Sequence, residues 1–130
     1  MGDHPDAAAA RAALEAFKGG DLETMARAMA EDVVWHIPGS NRFSGEFRGK
    51  AAVLERFKAM GEAGVRASFD EIHDVVGNDE HVVALVRLSV AGGGGSASAG
   101  STFVMHVRDG VMQEFWAMND NQAAIDGVIG

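Results

Sequence analysis

The spacing of apolar residues changes along this chain, and each change marks an element. From residue 7 to residue 18, alanines with Leu14 and Phe17 recur at helical spacing, after Asp6 as a candidate cap and before Gly19-Gly20 as a stop. Leu22, Met25, Ala26 and Met29 then fall at i, i+3, i+4 and i+7 behind Asp21. That spacing predicts a second short helix, and with the first it makes a helical hairpin with one apolar stripe. EDVVWHI (31–37) switches to β-branched and aromatic residues and stops at Pro38-Gly39, which predicts a strand. A third helix is expected to start near Gly49, with Val53, Phe57 and Met60 on one face and Gly61 and Gly64 closing it.

From residue 65 the period becomes two. Val65, Ala67 and Phe69 share one face of a strand while Ile72 and Val76 fall on the other, so a bulge is expected near Asp70-Glu71. GNDE (77–80) reads as a turn. Val82, Ala84, Val86, Leu88 and Val90 share a face of the next strand, 81–91. GGGGSASAG (92–100) reads as a flexible connection, 101–108 as a strand, Asp109-Gly110 as a tight hairpin turn and 111–118 as the last strand. NQAAIDGVI (121–129) reads as a terminal helical turn. The order ααβαββββ describes an α+β fold: a curved antiparallel sheet with helices against one face. Such a sheet leaves a concavity, the first place to look for a ligand. No internal repeat or linker appears, so residues 1–130 are expected to form a single domain.

Composition narrows the function. Hydrophobic residues make up 47% and charged residues 23%, an ordinary globular balance. Eleven basic against nineteen acidic residues leave a net charge of -8, which argues against nucleic acid or an anionic membrane as partner. Without cysteine there is no disulfide scaffold and no thiolate metal site. MGDHPDAAAARAALEAF has no cationic region leading into an apolar core, and no apolar run reaches the roughly 18 residues of a spanning helix. A cytoplasmic protein is the expectation.

EDVVWHIPGSNRFSGEFRGKAAVLERF, EIHDVVGNDEHVVAL and HVRDGVMQEFWAMNDNQAAID together resemble the SnoaL-like, ketosteroid-isomerase-like branch of the NTF2-like superfamily. The telling pieces are the W-H-I-P-G turn, the G-x-x-x-G before the third helix, and the DG hairpin leading to E-F-W and a final acid. The resemblance implies a cone-shaped α+β barrel, three helices in the N-terminal half, a deep pocket, and a homodimer through the outer sheet face. It implies no single activity, because this fold hosts isomerases, cyclases, dehydratases, epoxide hydrolases and non-catalytic proteins.

Candidate chemistry follows from these positions. Trp116, Met118 and Asp120 share a face of the last strand; where that face looks into the cone, an acid ends an apolar wall, as a general acid or base requires. SnoaL-like cyclases are similar in using an Asp there with a histidine on the preceding strand, which points to Asp120 and His106. The alternative is that Asp120 only caps the C-terminal turn. His106 alternates with Thr102 and Val104, against Phe103, Met105 and Val107. If the Phe103 face is inward, His106 lies outside. Steroid isomerases are similar in carrying a general-base Asp on the strand where this chain has Trp35-His36, without an acid. Alternation admits only one of these two to the pocket, Trp35 as wall or His36 as base.

This chain has no tyrosine, so the tyrosine oxyanion donor of steroid isomerases, the handling of ketosteroids and the Tyr-aided Asp-Arg-Asp set of limonene-type epoxide hydrolases are not carried over. The expected ligand contacts are Trp35, Phe57, Met60, Phe103, Met105, Trp116 and Met118, with Phe43 and Phe47 at the mouth. Arg42, Arg48 and Lys50 cluster near the third helix, either to hold a carboxylate or as a solvated loop. Arg87 interrupts an apolar strand and needs Glu114, Asp120 or a partner chain. His73 and His81 lack metal-ligand spacing, and Gly92–Gly95 lacks the features of a phosphate cradle but could serve as a mobile lid. No metal or cofactor is expected. Three functions stay open: a cofactor-free acid–base isomerase, cyclase or lyase acting on a small apolar carbonyl or polyketide-like compound; a hydrophobic-ligand binder; or a dimerising association domain.

Overall fold

A computed structural model describes residues 4–130. Helix α1 (Pro5–Lys18) opens on proline, whose missing amide needs no partner in a first turn. Its cap is His4, whose Nδ1 accepts the Asp6 amide at 3.1 Å. Asp6 therefore lies inside the helix, and its Oδ1 accepts the Gly110 amide at 3.0 Å, tying α1 to a distant hairpin. Helix α2 (Leu22–Arg27) does open on Asp21, which accepts the Thr24 amide at 3.0 Å. Met29, expected on that helix, instead begins strand β1 (Met29–Ile37) and is buried.

Strand β2 (Gly45–Arg48) pairs antiparallel with β1 where the sequence reads as loop. Four residues, Gly-Glu-Phe-Arg, are too few to show alternation. Gly49, at φ 94°, turns the chain into α3 (Lys50–Glu62), which buries Val53 and Met60. The remainder is β3 (Arg66–Gly77), β4 (Val82–Gly92), β5 (Gly95–Arg108), β6 (Val111–Asn119) and helix α4 (Gln122–Ile129). One six-stranded sheet runs β2-β1-β6-β5-β4-β3, antiparallel except between β1 and β6. Among the described residues no helix is long and apolar enough to cross a membrane.

Two corrections concern the strands. The bulge at Asp70 is present, but a second shift at His73 follows it, so Val75 faces the core while Val76 is 53% exposed. The glycine-rich stretch is a hairpin rather than a flexible connection. Gly92 pairs with Gly95 across Gly93-Gly94, and Ala97 and Ala99 continue the ladder opposite Val90 and Leu88. Small residues hide the two-residue period there, although Ala99 is fully buried. This turn does not stand free as a lid. The Gly94 amide donates to the Val128 carbonyl at 3.4 Å, and a Cβ on Gly94 would come within 2.7 Å of the Gly127 carbonyl oxygen.

Candidate functional site

The sheet's concave face and the helices enclose a cavity of about 110 Å³. Its wall is aromatic because the parallel β1–β6 register sets Trp35 beside Phe115. Their rings stack with centroids 4.3 Å apart. Phe57 from α3 meets the Trp35 ring edge-on at 5.5 Å, and Phe103 and Phe69 extend the surface through contacts of 4.8 Å and 5.5 Å. Among the described residues no carboxylate and no histidine lines this space.

The polar side chains of its wall are Arg56, Asn41, Asn119 and Gln122. Arg56 is half-buried on α3, and its Nε donates to the Phe43 carbonyl at 2.9 Å. Its guanidinium lies 5.4 Å from the centre of the Phe47 ring and 5.7 Å from that of Phe57. Burial pushes its pKa down to about 10, so it remains a cation at neutral pH. Trp35 is 6% exposed, and its Nε1 has no hydrogen-bond partner among the described residues. Leaving such a donor unmade costs about 1–3 kcal/mol. The amides are already engaged: Asn119 donates to Gln122 Oε1 at 2.7 Å, and Asn41 and Gln122 donate to Asp126 Oδ1 at 2.7 Å and 2.9 Å.

The expected catalytic residues stand on the other side of the sheet. Gln113 is an extra residue in β6, shifting the β5–β6 register. Phe115, Ala117 and Asn119 thus face the cavity, and Trp116, Met118 and Asp120 face away. Asp120 is exposed, accepts the Gly100 amide at 2.9 Å and shares a shallow groove with Arg87 and His73. His36 also points outward, with Nε2 hydrogen-bonded to Glu114 Oε2 at 2.6 Å and Nδ1 3.4 Å from Glu46. Trp116 stacks on His36 at 5.0 Å, and His106 approaches both Trp116 and Glu114. The acid–base groups proposed from the sequence therefore do not touch the cavity.

Among the expected ligand contacts, Trp35, Phe57, Met60 and Phe103 line the wall. Met105 is fully buried behind it, and Trp116 and Met118 lie outside. Phe43 packs in a second core with Met60 and Ile125, and Phe47 lies against Arg56. The expected basic cluster is dispersed. Arg42 donates to the Ile129 carbonyl at 3.3 Å, Arg48 bonds Glu46 at 2.9 Å, and Lys50 is 3.4 Å from Glu31. The sequence reading missed Arg56. Its signal was present: Val53, Arg56, Phe57 and Met60 fall at i, i+3, i+4 and i+7, so a cation occupies the apolar stripe.

No three His, Asp or Glu side chains among the described residues are grouped to hold a metal ion. A curved sheet closed by helices over an aromatic cavity defines the class of cone-shaped α+β domains. The chain belongs to the SnoaL-like domain family, whose model matches residues 10–115. It is similar to a Xanthomonas campestris protein of unknown function with a cystatin-like fold (24% identity, TM-score 0.89, covering 96% of this chain and 98% of that one). It is also similar to an NTF2-like protein from Burkholderia xenovorans LB400 (20%, 0.82, 100% and 99%). A third likeness is to TerC co-crystallised with polyporic acid (21%, 0.80, 97% and 98%). At these identities the likeness shows a shared fold. No curated protein matches the sequence.

Proposed function

We propose that this domain takes a compact, largely apolar compound of about one ring into its cone. The observation that carries this reading is the aromatic-walled cavity of about 110 Å³. Apolar space of that order stays dry and accepts a benzene-sized guest. TerC, of the same fold, is co-crystallised with a small organic compound, which supports the same use of this one. The test uses Trp116→Phe, which leaves Trp35 as the single tryptophan. Toluene and acetophenone are expected to change its emission saturably; no response to either overturns the reading.

A second reading, cofactor-free enolisation as in an isomerase or cyclase, is favoured by Arg56 in the wall. A fixed cation in a water-poor site stabilises an enolate oxygen more than the parent carbonyl. Asp120, His36 and His106 do not line the cavity, so hydroxide from solvent takes the methyl proton, leaving as water, and solvent returns a deuteron to the carbon. Protein-dependent deuterium uptake from D2O into the methyl group of acetophenone, lost in Arg56→Met, is the expected result, and uptake at the buffer rate counts against it.

For the outer sheet face we propose self-association. Leu85 and Met118, 40% and 50% exposed, flank Thr102 in one cross-strand row. The neighbouring row is Val83, Val104, Trp116 and His36. Sedimentation at micromolar concentration should give a dimer, and Met118→Asp a monomer.

A further inference from the structure

We propose that Arg56 and Trp35 form an anion-binding subsite inside the cavity, and that its ligand is an aromatic carboxylate. The proposal rests on the reading of the cone as a ligand cavity and adds the charge of what enters it.

A guanidinium is costly to remove from water unless an anion accompanies it. Arg56 lies on an otherwise apolar face, and no carboxylate among the described residues pairs with it. Its Nε is held by the Phe43 carbonyl, and its guanidinium carbon lies over the Phe47 and Phe57 rings. That leaves the two terminal nitrogens, which donate to no described residue. Side by side, they form the fork that a carboxylate fits with two parallel hydrogen bonds.

Trp35 supplies the second observation. Its indole N–H is buried and has no acceptor. Tryptophan nitrogen is a donor only, so the group it lacks is an oxygen acceptor. Both side chains stand against one ring: Phe57 lies 5.5 Å from the Trp35 ring and 5.7 Å from the Arg56 guanidinium carbon. One ligand with an apolar ring and a carboxylate answers the wall and both donors. The wall amides are neutral and each already donates once, Asn119 to Gln122 and Asn41 and Gln122 to Asp126, so the charge in the wall is that of Arg56. Cavity size also separates the anions: about 110 Å³ walled by rings suits a planar group better than a hydrated phosphate.

The experiment compares benzoate with benzamide, its uncharged counterpart of the same shape, in Trp116→Phe protein near pH 7. Calorimetry and Trp35 emission should show benzoate binding at least about tenfold tighter. Arg56→Met should bring benzoate to the level of benzamide and leave benzamide unchanged. Arg56→Lys, which keeps the charge and loses the fork, should retain part of the preference and covers the case in which the methionine variant does not fold. Equal affinity for the two probes, or a preference that survives Arg56→Met, overturns the subsite. Toluene binding without benzoate binding overturns it while the cavity reading stands. Silence to all three probes overturns both.

Discussion

The guanidinium of Arg56 and the indole of Trp35 come from different elements, α3 and β1, and meet through the Phe57 ring. Neither has a charged partner among the described residues, so removing one strands no opposite charge there. Arg56→Met is therefore expected to move the melting temperature by only a few degrees, equivalent to about 1 kcal/mol, while its binding phenotype is large. Thermal unfolding beside the benzoate titration checks that separation. Asp120 should behave in the reverse sense. Asp120→Ala removes the acceptor of the Gly100 amide and is expected to cost about 1 kcal/mol in urea unfolding, with toluene and benzoate binding unchanged. Alternation showed that Trp35 and His36 must part company, and it showed the shared face of Trp116 and Asp120. It could not show which way that face points, because the extra residue Gln113 resets the phase between Met112 and Phe115.

Among the elements, α4 is held most explicitly by polar contacts. The Asp126 carboxylate accepts hydrogen bonds from Gln122, from Asn41 and from the amide and hydroxyl of Ser40, joining α4 to the loop after β1. The Gln122 bond is the main cause holding its pKa below the usual value; burial opposes it, and Asn41 and Ser40 add to it. A folded pKa below the unfolded one stabilises the fold above the unfolded value of about 3.9 and is lost as pH falls through the folded one. Unfolding followed from pH 6 to pH 3 should show this loss, and Asp126→Asn should flatten part of it. Gly39, in the same loop at φ 99°, has no room for a side chain, since a Cβ would collide with Asp126 and Gln122. A second contrast tests the hairpin beneath α4. Gly94→Ala meets the Gly127 carbonyl and should destabilise by about 1–3 kcal/mol, whereas Gly93→Ala meets nothing within 4 Å and should be nearly neutral. Helices α1 to α3 and the long strands were legible because large apolar residues keep their period. Strand β2 and the start of β5 were not, being built from glycine, serine and alanine or from only four residues.

At the scale of the molecule, one sheet separates two chemistries. Its concave side is aromatic and carries the Arg56 cation; its outer side carries His36, His106, Glu114 and Trp116 in mutual contact. The cone and its family resemblance could be read from the sequence because they depend on element order. The division of labour between faces could not, because it turns on single-residue register shifts. Changes to the outer face should accordingly alter association and spare ligand uptake, a pairing measurable by sedimentation and Trp35 emission on one sample carrying Met118→Asp and Trp116→Phe.

The SnoaL-like match ends at residue 115, yet Ala117, Asn119, Gln122, Ile125 and Ile129 complete the cavity wall. Vessel and stopper are thus consecutive along the chain. A chimera carrying another stopper in place of residues 116–130 would keep the rings of Trp35, Phe57, Phe103 and Phe115 and change what passes them. The last strand and helix are the shortest stretch through which a new guest could be chosen without recasting the vessel.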